Sequence, residues 1–190
     1  MGKSKEHNMR GRIITLTAMA VIGAWAGELR AGICPTDVCV RMELDEQIIV
    51  EGGYFSVNIV ADINVPVVGW GIDLRLTPES AIALAGLPSI GSAWVPSPSA
   101  DGDGLAALAF PNAITGNDIL LATVDLQAIS IGDVELSIET TIGDLTEGFA
   151  RDPMGFASLT ATPTYVTVIP EPAAFALLCF AGLLRRPRKM

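Results

Sequence analysis

Histidine is almost missing from this sequence of 190 residues, because His7 is the only one. It lies in a basic N-terminal stretch that we expect to be removed, so the mature chain would contain none. A chain without histidine cannot use Ser-His-Asp or Cys-His catalysis and cannot bind zinc through imidazole. Carboxylate pairs could support glycoside hydrolysis, but no particular pair stands out among the scattered acidic residues. We therefore predict that the protein is not an enzyme.

Lysine is absent between Gly27 and Pro172, and only four arginines occur there: Arg30, Arg41, Arg75 and Arg151. The same stretch holds 20 of the 21 acidic residues, so its formal charge is −16. Phosphate backbones are bound by clustered lysine and arginine, so this body is not expected to bind nucleic acid. The charge fits a soluble extracellular domain, and it also fits a domain that binds cations.

The N-terminus lacks a hydrophobic run long enough to span a membrane. Residues 13–26 are apolar and follow a basic stretch of 12 residues. Fourteen helical residues extend about 21 Å, which is shorter than a hydrocarbon core of about 30 Å. The segment ends in Ala24-Trp25-Ala26, a small-residue cleavage pattern. This order is typical of a secretory signal peptide. We predict a signal helix over 1–26, recognised by the export machinery and signal peptidase, and a linker over 27–37.

The C-terminus carries three features in order: Pro170, Glu171 and Pro172, then an apolar segment over 173–184, then Arg185, Arg186, Arg188 and Lys189. The basic end is expected to stay on the cytoplasmic side during export. This tail, residues 169–190, resembles the PEP-CTERM sorting signal that exosortases process in bacteria that produce exopolysaccharide. The resemblance implies that Pro170, Glu171 and Pro172 are recognition residues. It also implies a C-terminal transmembrane helix, although 12 residues give only about 18 Å.

Long amphipathic helices are also missing, and the body instead shows apolar residues at every second position. Such alternation predicts strands with one buried face. Turn signals separate the runs, including Asn64–Pro66 and Thr115–Asn117. The fold class is therefore all-β, an antiparallel β-sandwich over residues 38–168. The residues expected to point inward are Val38, Val40, Met42, Leu44, Phe55, Val57, Ile59, Ala61, Ile63, Val68, Trp70, Ile72, Leu74, Leu76, Leu120, Ala122, Val124, Leu126, Ala128, Val134, Leu136 and Ile138.

The order of these runs resembles that of a cohesin-like or carbohydrate-binding-module-like sandwich of the jelly-roll type. The resemblance is carried by Phe55–Val60, Gly69–Leu76, Leu121–Leu126 and Gly132–Leu136. Cohesins bind dockerins, and structural relatives of cohesins bind polysaccharide. The resemblance therefore implies either a dockerin-like protein partner or a sugar ligand, and the residues do not choose between them.

Asp101-Gly102-Asp103-Gly104 begins like a calcium loop, but Leu105 and Asn112 occupy positions where an EF-hand needs oxygen ligands. An EF-hand is thus excluded. Either a looser calcium site formed by Asp101, Asp103 and Asp118 or a plain Asp-Gly turn fits the pattern. No other cofactor is predicted.

Two further candidate sites are a tryptophan and a pair of cysteines. Trp94 lies among serines and prolines, so it either stacks on a sugar ring from an exposed loop or packs within that loop. Cys34 and Cys39 follow the export signal closely, and an oxidising destination favours a local disulfide between them.

Together these features predict an exported, non-enzymatic protein of the outer surface or extracellular matrix, anchored in the membrane transiently or stably by its tail. We expect it to be sorted by an exosortase-type enzyme and associated with exopolysaccharide. The alternative is a module that binds carbohydrate or a dockerin-like protein.

Overall fold

The computed structural model describes residues 34–97, 104–141 and 146–171. The predicted signal helix over 1–26, the apolar segment 173–184 and the basic end lie outside these residues. Within the described part of the chain there are twelve strands and one 3-10 turn, Glu79–Ala81. The strands are β1 Val38–Leu44, β2 Ile48–Val50, β3 Tyr54–Thr77, β4 Ile82–Leu84, β5 Ser89–Ile90, β6 Val95–Ser97, β7 Leu105–Leu108, β8 Ile114–Ala128, β9 Gly132–Glu139, β10 Gly148–Arg151, β11 Leu159–Ala161 and β12 Thr164–Ile169.

The first sheet is built around the long strand β3. The first part of β3 pairs antiparallel with β1 and β8, and its middle part pairs with β7 and β10. Shorter strands extend this sheet: β11 runs parallel to β1, β4 and β5 pair with β8, and β6 pairs with β7. Because β3 has neighbours on both sides along most of its length, it is the central strand of the fold.

The second sheet begins at the end of the same strand. Asp73–Thr77 of β3 pair with β9, β9 pairs with β12, and β12 runs parallel to β2. Buried side chains from both sheets form one hydrophobic cluster, in which Val57, Leu126, Leu136 and Val166 are at most 1% exposed. Two sheets that share one core form a sandwich, as the alternating pattern predicts.

Most of the predicted inward residues are buried. Val38, Val40 and Met42 alternate with more exposed neighbours along β1, and Val134, Leu136 and Ile138 do the same along β9. Leu44, Leu74 and Leu76 are half-buried and pack against the core. The period of two therefore identifies the core face of these strands.

Two predicted turns are wrong. Asn64–Pro66 lies inside β3, and Thr115–Asn117 lies inside β8. The register between these strands shifts from Ile63 to Val67, so the chain bends there without ending the strand. Pro66 is tolerated at this irregular point, where its missing N–H removes no regular ladder bond.

Two residues that were predicted to point inward, Leu120 and Val68, are exposed, and both lie where the strand register is irregular. Ile59 pairs with Ala122 whereas Val60 pairs with Leu120, which leaves Leu121 without a partner of its own. Leu121 is fully buried and Leu120 is 38% exposed. A β-bulge inserts one residue, so the alternation seen in the sequence changes phase there. Val68, likewise 36% exposed, lies where the register between β3 and β10 shifts.

Candidate functional site

Five small or apolar residues form a line across neighbouring strands at one end of the first sheet. Val95 of β6 pairs with Leu108 of β7, and Leu108 pairs with Gly69 of β3. Gly69 pairs with Ala150 of β10, which forms a bridge with Phe156. Residues directly opposite each other in antiparallel pairs share one face of a sheet. We call these five residues the apolar row.

The apolar row lies on the outer face of the sheet, since the sequence neighbours Trp94, Trp70, Ala107 and Phe149 are buried. Trp70 pairs with both Ala107 and Phe149, and all three are at most 3% exposed. Within the row, Val95 is 52% exposed, Leu108 is 53% exposed and Phe156 is 49% exposed. The sheet therefore buries one set of aromatic and small residues and presents a second apolar set to solvent.

Glycine lets the larger side chains of the row lie against the sheet. A Cβ atom on Gly69 would come within 2.8 Å of Leu108 Cδ2, and a Cβ atom on Gly148 would come within 3.1 Å of Phe156 Cδ1. Gly148 also has a φ of 100°, a conformation that favours glycine. Leu108 and Phe156 thus fill the space that side chains at these positions would need. Because these two side chains lie close against the sheet, the apolar row protrudes little from it, and it contains no charged residue.

The core directly behind the row contains two tryptophans. Trp70 and Trp94 meet edge to face, with ring centroids 6.0 Å apart and an angle of 89° between the planes. Trp94 Nε1 donates a hydrogen bond of 3.1 Å to the carbonyl of Leu120. Trp94 is only 5% exposed, so it packs inside the domain and offers no platform for a sugar ring. The structure therefore agrees with the interpretation in which Trp94 packs against its surroundings.

Asp118 lies next to a cation of the protein itself. Its carboxylate contacts the Arg41 guanidinium, which also contacts Asp62 and Glu43. Partial burial acts to lower the pKa of Arg41, but the hydrogen bonds to Glu43, Asp118 and Asp62 outweigh it and raise that pKa. Asp101 and Asp103 lie outside the described residues. In the described ranges no three acidic, cysteine or histidine side chains are placed to share a metal ion.

Cys34 and Cys39 are joined by a disulfide, and their Cα atoms are 5.7 Å apart. The bond closes a short loop immediately before and at the start of β1. Cys39 pairs with Asp62 of β3 on one side and with Thr160 of the edge strand β11 on the other, so the loop is attached to both strands. This cross-link agrees with the pairing expected for an oxidising destination.

A depression elsewhere in the described surface differs in character from the apolar row. It has a volume of about 440 Å³ and is lined by three carboxylates, those of Asp45, Glu46 and Asp125, together with Tyr54 and Ser56. Asp125 already accepts a hydrogen bond of 2.6 Å from the Ser56 hydroxyl. Exposed carboxylates are ordinary on a domain of this charge, whereas apolar side chains that adjoin across paired strands mark a candidate interaction site. The apolar row is therefore the candidate functional site.

The sorting tail is described only at its start. Pro170 is half-buried and Glu171 is exposed directly after β12. Pro172, Arg185, Arg186, Arg188 and Lys189 lie outside the described residues. Over the ranges that the structure covers, no helix has the length and apolar character needed to cross a bilayer.

The apolar row was not identified from the sequence, although one signal for it was present. Val95 and Leu108 lie in short strands without a clear alternation, and Phe156 lies outside any strand. Gly69 and Gly71, however, alternate with the inward Trp70 and Ile72. Glycine on the outer face of a central strand indicates that another group approaches the backbone closely. Leu108 is that group at Gly69, and the carbonyl of Thr146 lies over Gly71.

Comparison with known proteins finds likeness in structure alone. No family model matches the sequence, and no curated protein matches it. Among solved structures, the chain is similar to a cohesin module from a Clostridium perfringens family 33 glycoside hydrolase. The TM-score is 0.57 and the identity 14%, and the match covers 72% of this chain and 99% of that module.

Two other cohesins are similar to a comparable degree. The third ScaB cohesin of Ruminococcus flavefaciens, solved in complex with a group 1 dockerin, has a TM-score of 0.54 and 11% identity, covering 73% of this chain and 99% of that one. A non-cellulosomal cohesin from the archaeon Archaeoglobus fulgidus has a TM-score of 0.53 and 9% identity, covering 74% and 97%. The chain therefore has an all-β, cohesin-like sandwich fold, and identities this low carry the fold alone.

Proposed function

We infer that the domain is a non-enzymatic protein-binding module, and that the apolar row is the surface its partner contacts. The observation that carries this proposal is that the exposed side chains of Val95, Leu108 and Phe156 lie in one uncharged line across paired strands of an acidic domain. Aromatic and aliphatic side chains surrounded by polar residues are typical of the centre of a protein interface. The small residues between them leave the surface flat enough for a helix or another sheet.

A dockerin-type module is the partner class that we propose. The cohesins of similar fold include several that were solved with a dockerin bound, which supports this class over an unrelated protein. The sugar-binding alternative is less well supported, because Trp94, the aromatic residue on which it rested, is buried.

The proposal is tested by titrating the full chain with a panel of dockerin modules and measuring the dissociation constant by calorimetry. Leu108→Asp places a charge in the middle of the row, and we expect it to weaken binding by roughly 30-fold, the effect of losing about 2 kcal/mol at a central residue. Leu87→Asp is the matched control, since Leu87 is 95% exposed in the connection between β4 and β5. Equal losses for both variants, or no dockerin binding by the unmodified chain, would count against the proposal.

We further propose that the protein is exported and sorted to the cell surface or matrix through its tail. The basic and apolar segments at the two ends support this, as does the resemblance of residues 169–190 to the PEP-CTERM signal. An exosortase-type enzyme would recognise Pro170, Glu171 and Pro172, and association with exopolysaccharide would follow from that route. Mass spectrometry of the mature protein from its host tests the proposal: a new N-terminus at Gly27 and loss of the basic end are expected. An intact chain in the cytosol contradicts it.

A further inference from the structure

The Phe156 end of the apolar row is continuous with a segment held by the start of β1. Two residues after Phe156, Ser158 makes three hydrogen bonds to neighbouring backbone and side-chain atoms. The Val38 amide donates to the Ser158 carbonyl at 2.9 Å, and the Asp37 amide donates to Ser158 Oγ at 3.0 Å. The Ser158 amide in turn donates to Asp37 Oδ2 at 3.0 Å. Asp37 and Ser158 therefore bind each other in both directions.

Asp37 lies within the loop that the disulfide closes, residues Cys34–Cys39, here called the disulfide loop. Thr36 in the same loop donates to the Thr160 hydroxyl at 3.1 Å and accepts from Asn64 Nδ2 through its carbonyl at 2.9 Å. The cross-link restricts the conformations open to Thr36 and Asp37. It thereby keeps both residues where they can bind Ser158 and Thr160.

The segment is otherwise held by one short edge strand and by the half-buried side chains of Ala157, Leu159 and Ala161, which pack against the core. In the described part of the chain β11 has only three residues and pairs only with β1. On the Phe156 side, the Ala157 amide donates to the Phe149 carbonyl at 2.8 Å, and Phe156 bridges to Ala150. A short edge strand with few partners opens more easily than the core of a sheet.

We propose that the disulfide loop is a redox-sensitive positioning element that keeps Phe156 in the apolar row, so that the partner-binding surface is complete only in the oxidised protein. A dithiol supplies the reducing equivalents: the Cys34–Cys39 bond breaks on accepting two electrons and two protons, giving two thiols, and the dithiol closes into its own disulfide. The disulfide loop then loosens, Asp37 and Thr36 leave Ser158 and Thr160, and the segment 152–161 opens. The consequence for a partner rests on the proposed function, whereas the opening itself does not.

The scarcity of basic residues makes the opening measurable by trypsin. Among the described residues trypsin can cleave only after Arg41, Arg75 and Arg151, since the body contains no lysine. Arg41 and Arg75 lie within strands and form ion pairs. Arg151 lies at the end of β10, where its amide donates to the Gly155 carbonyl at 2.9 Å. Opening of the segment should therefore expose Arg151 first.

The experiment compares the oxidised full chain with the chain treated with dithiothreitol, by limited trypsin digestion and by hydrogen exchange. Reduction should accelerate cleavage after Arg151 and exchange of the Ser158 amide by about tenfold, as expected for loss of roughly 1.4 kcal/mol of local stability. The Val124 amide in the centre of β8 should be unchanged. Equal rates at Arg151 and Ser158 before and after reduction would overturn the proposal.

Two variants separate the disulfide from other effects of the reductant. Cys34→Ser/Cys39→Ser keeps the third cysteine, Cys179, and should show the fast rates with or without dithiothreitol. If that variant unfolds as a whole, seen as fast exchange at Val124, Asp37→Ala decides the question with the disulfide intact, because it removes the oxygen that accepts from the Ser158 amide. Asp37→Ala should accelerate exchange at Ser158, and an unchanged rate there would overturn the proposal. Neither readout needs a partner, so a failed dockerin titration and a failed opening remain distinguishable.

Discussion

At the scale of single residues, Trp94 shows how burial decides between two roles. Its surroundings in the sequence, Ser92, Pro96 and Pro98, are typical of a loop, yet its indole lies against Trp70 and donates to a backbone carbonyl. An indole so placed stabilises the sheet behind the apolar row.

Trp94→Ala should lower the free energy of unfolding by about 3–5 kcal/mol, because it leaves a cavity next to Trp70. Tyr54→Ala is the control, since Tyr54 is 71% exposed and should change that free energy by no more than about 0.5 kcal/mol. Urea denaturation measures both values. A Trp94→Ala variant as stable as the unmodified protein would mean that the indole does not pack as described.

Asp37 makes the start of β1 sensitive to pH. Hydrogen bonds from the Ser158 backbone amide and then from the Ser158 side chain lower the pKa of Asp37 below its ordinary value of 3.8, and the charge of Arg151 adds to this. A lowered pKa in the folded state means that the ionised carboxylate stabilises the fold. That contribution is present above the ordinary pKa and is lost as the pH falls through the lower folded value.

The difference in unfolding free energy between the unmodified protein and Asp37→Asn should therefore shrink as the pH falls from neutral to below 3.8. Urea denaturation at a series of pH values measures it. A difference that stays constant over this range would show that the charge of Asp37 contributes nothing to stability.

At the scale of elements, the alternation of apolar and polar residues predicted the positions of the strands better than it predicted their ends. Glycine, asparagine and proline at Asn64–Pro66 and Thr115–Asn117 are typical of turns, but here they lie in bends of β3 and β8. A single sequence does not distinguish a turn from a bulge, since both favour the same residues. The neighbouring strand decides, and pairing between distant residues is not visible in local composition.

The bulge in β8 gives a prediction that compares two adjacent leucines. Leu121→Ala should cost about 2–5 kcal/mol of unfolding free energy, because Leu121 is fully buried. Leu120→Ala should cost less than about 1 kcal/mol, because Leu120 is 38% exposed. Denaturation of the two variants side by side provides the comparison. If Leu120→Ala were instead the more destabilising variant, Leu120 would be the buried residue, as uninterrupted alternation along the sequence predicts.

The candidate site was harder to predict than the fold, for a physical reason. Val95, Leu108 and Phe156 come from three separate segments and meet only because β6, β7, β3 and β10 pair in one register. Glycines on the outward face of β3 were visible in the sequence, but the residues that approach them were not. Asp118 is a candidate calcium ligand by sequence alone, but in the structure its carboxylate contacts Arg41. Arg41 lies in β1, 77 residues away in sequence, so local composition does not reveal this contact.

At the scale of the whole molecule, the charge and the apolar row have complementary effects. A body with a formal charge of −16 is expected to repel other copies of itself. An uncharged row on such a body is therefore expected to contact a different protein, not a second copy. Directed contact between unlike proteins is the role that we propose for this sandwich.

The most direct test of this account is the hydrogen-exchange footprint of a bound dockerin module on the full chain. Amides in β6, β7 and β10, around Val95, Leu108 and Ala150, should be protected from exchange when the dockerin is bound. The outer face of β1 and β8, around Arg41 and Asp125, should exchange as in the free protein. Protection confined to β1 and β8, with β6, β7 and β10 unchanged, would contradict it.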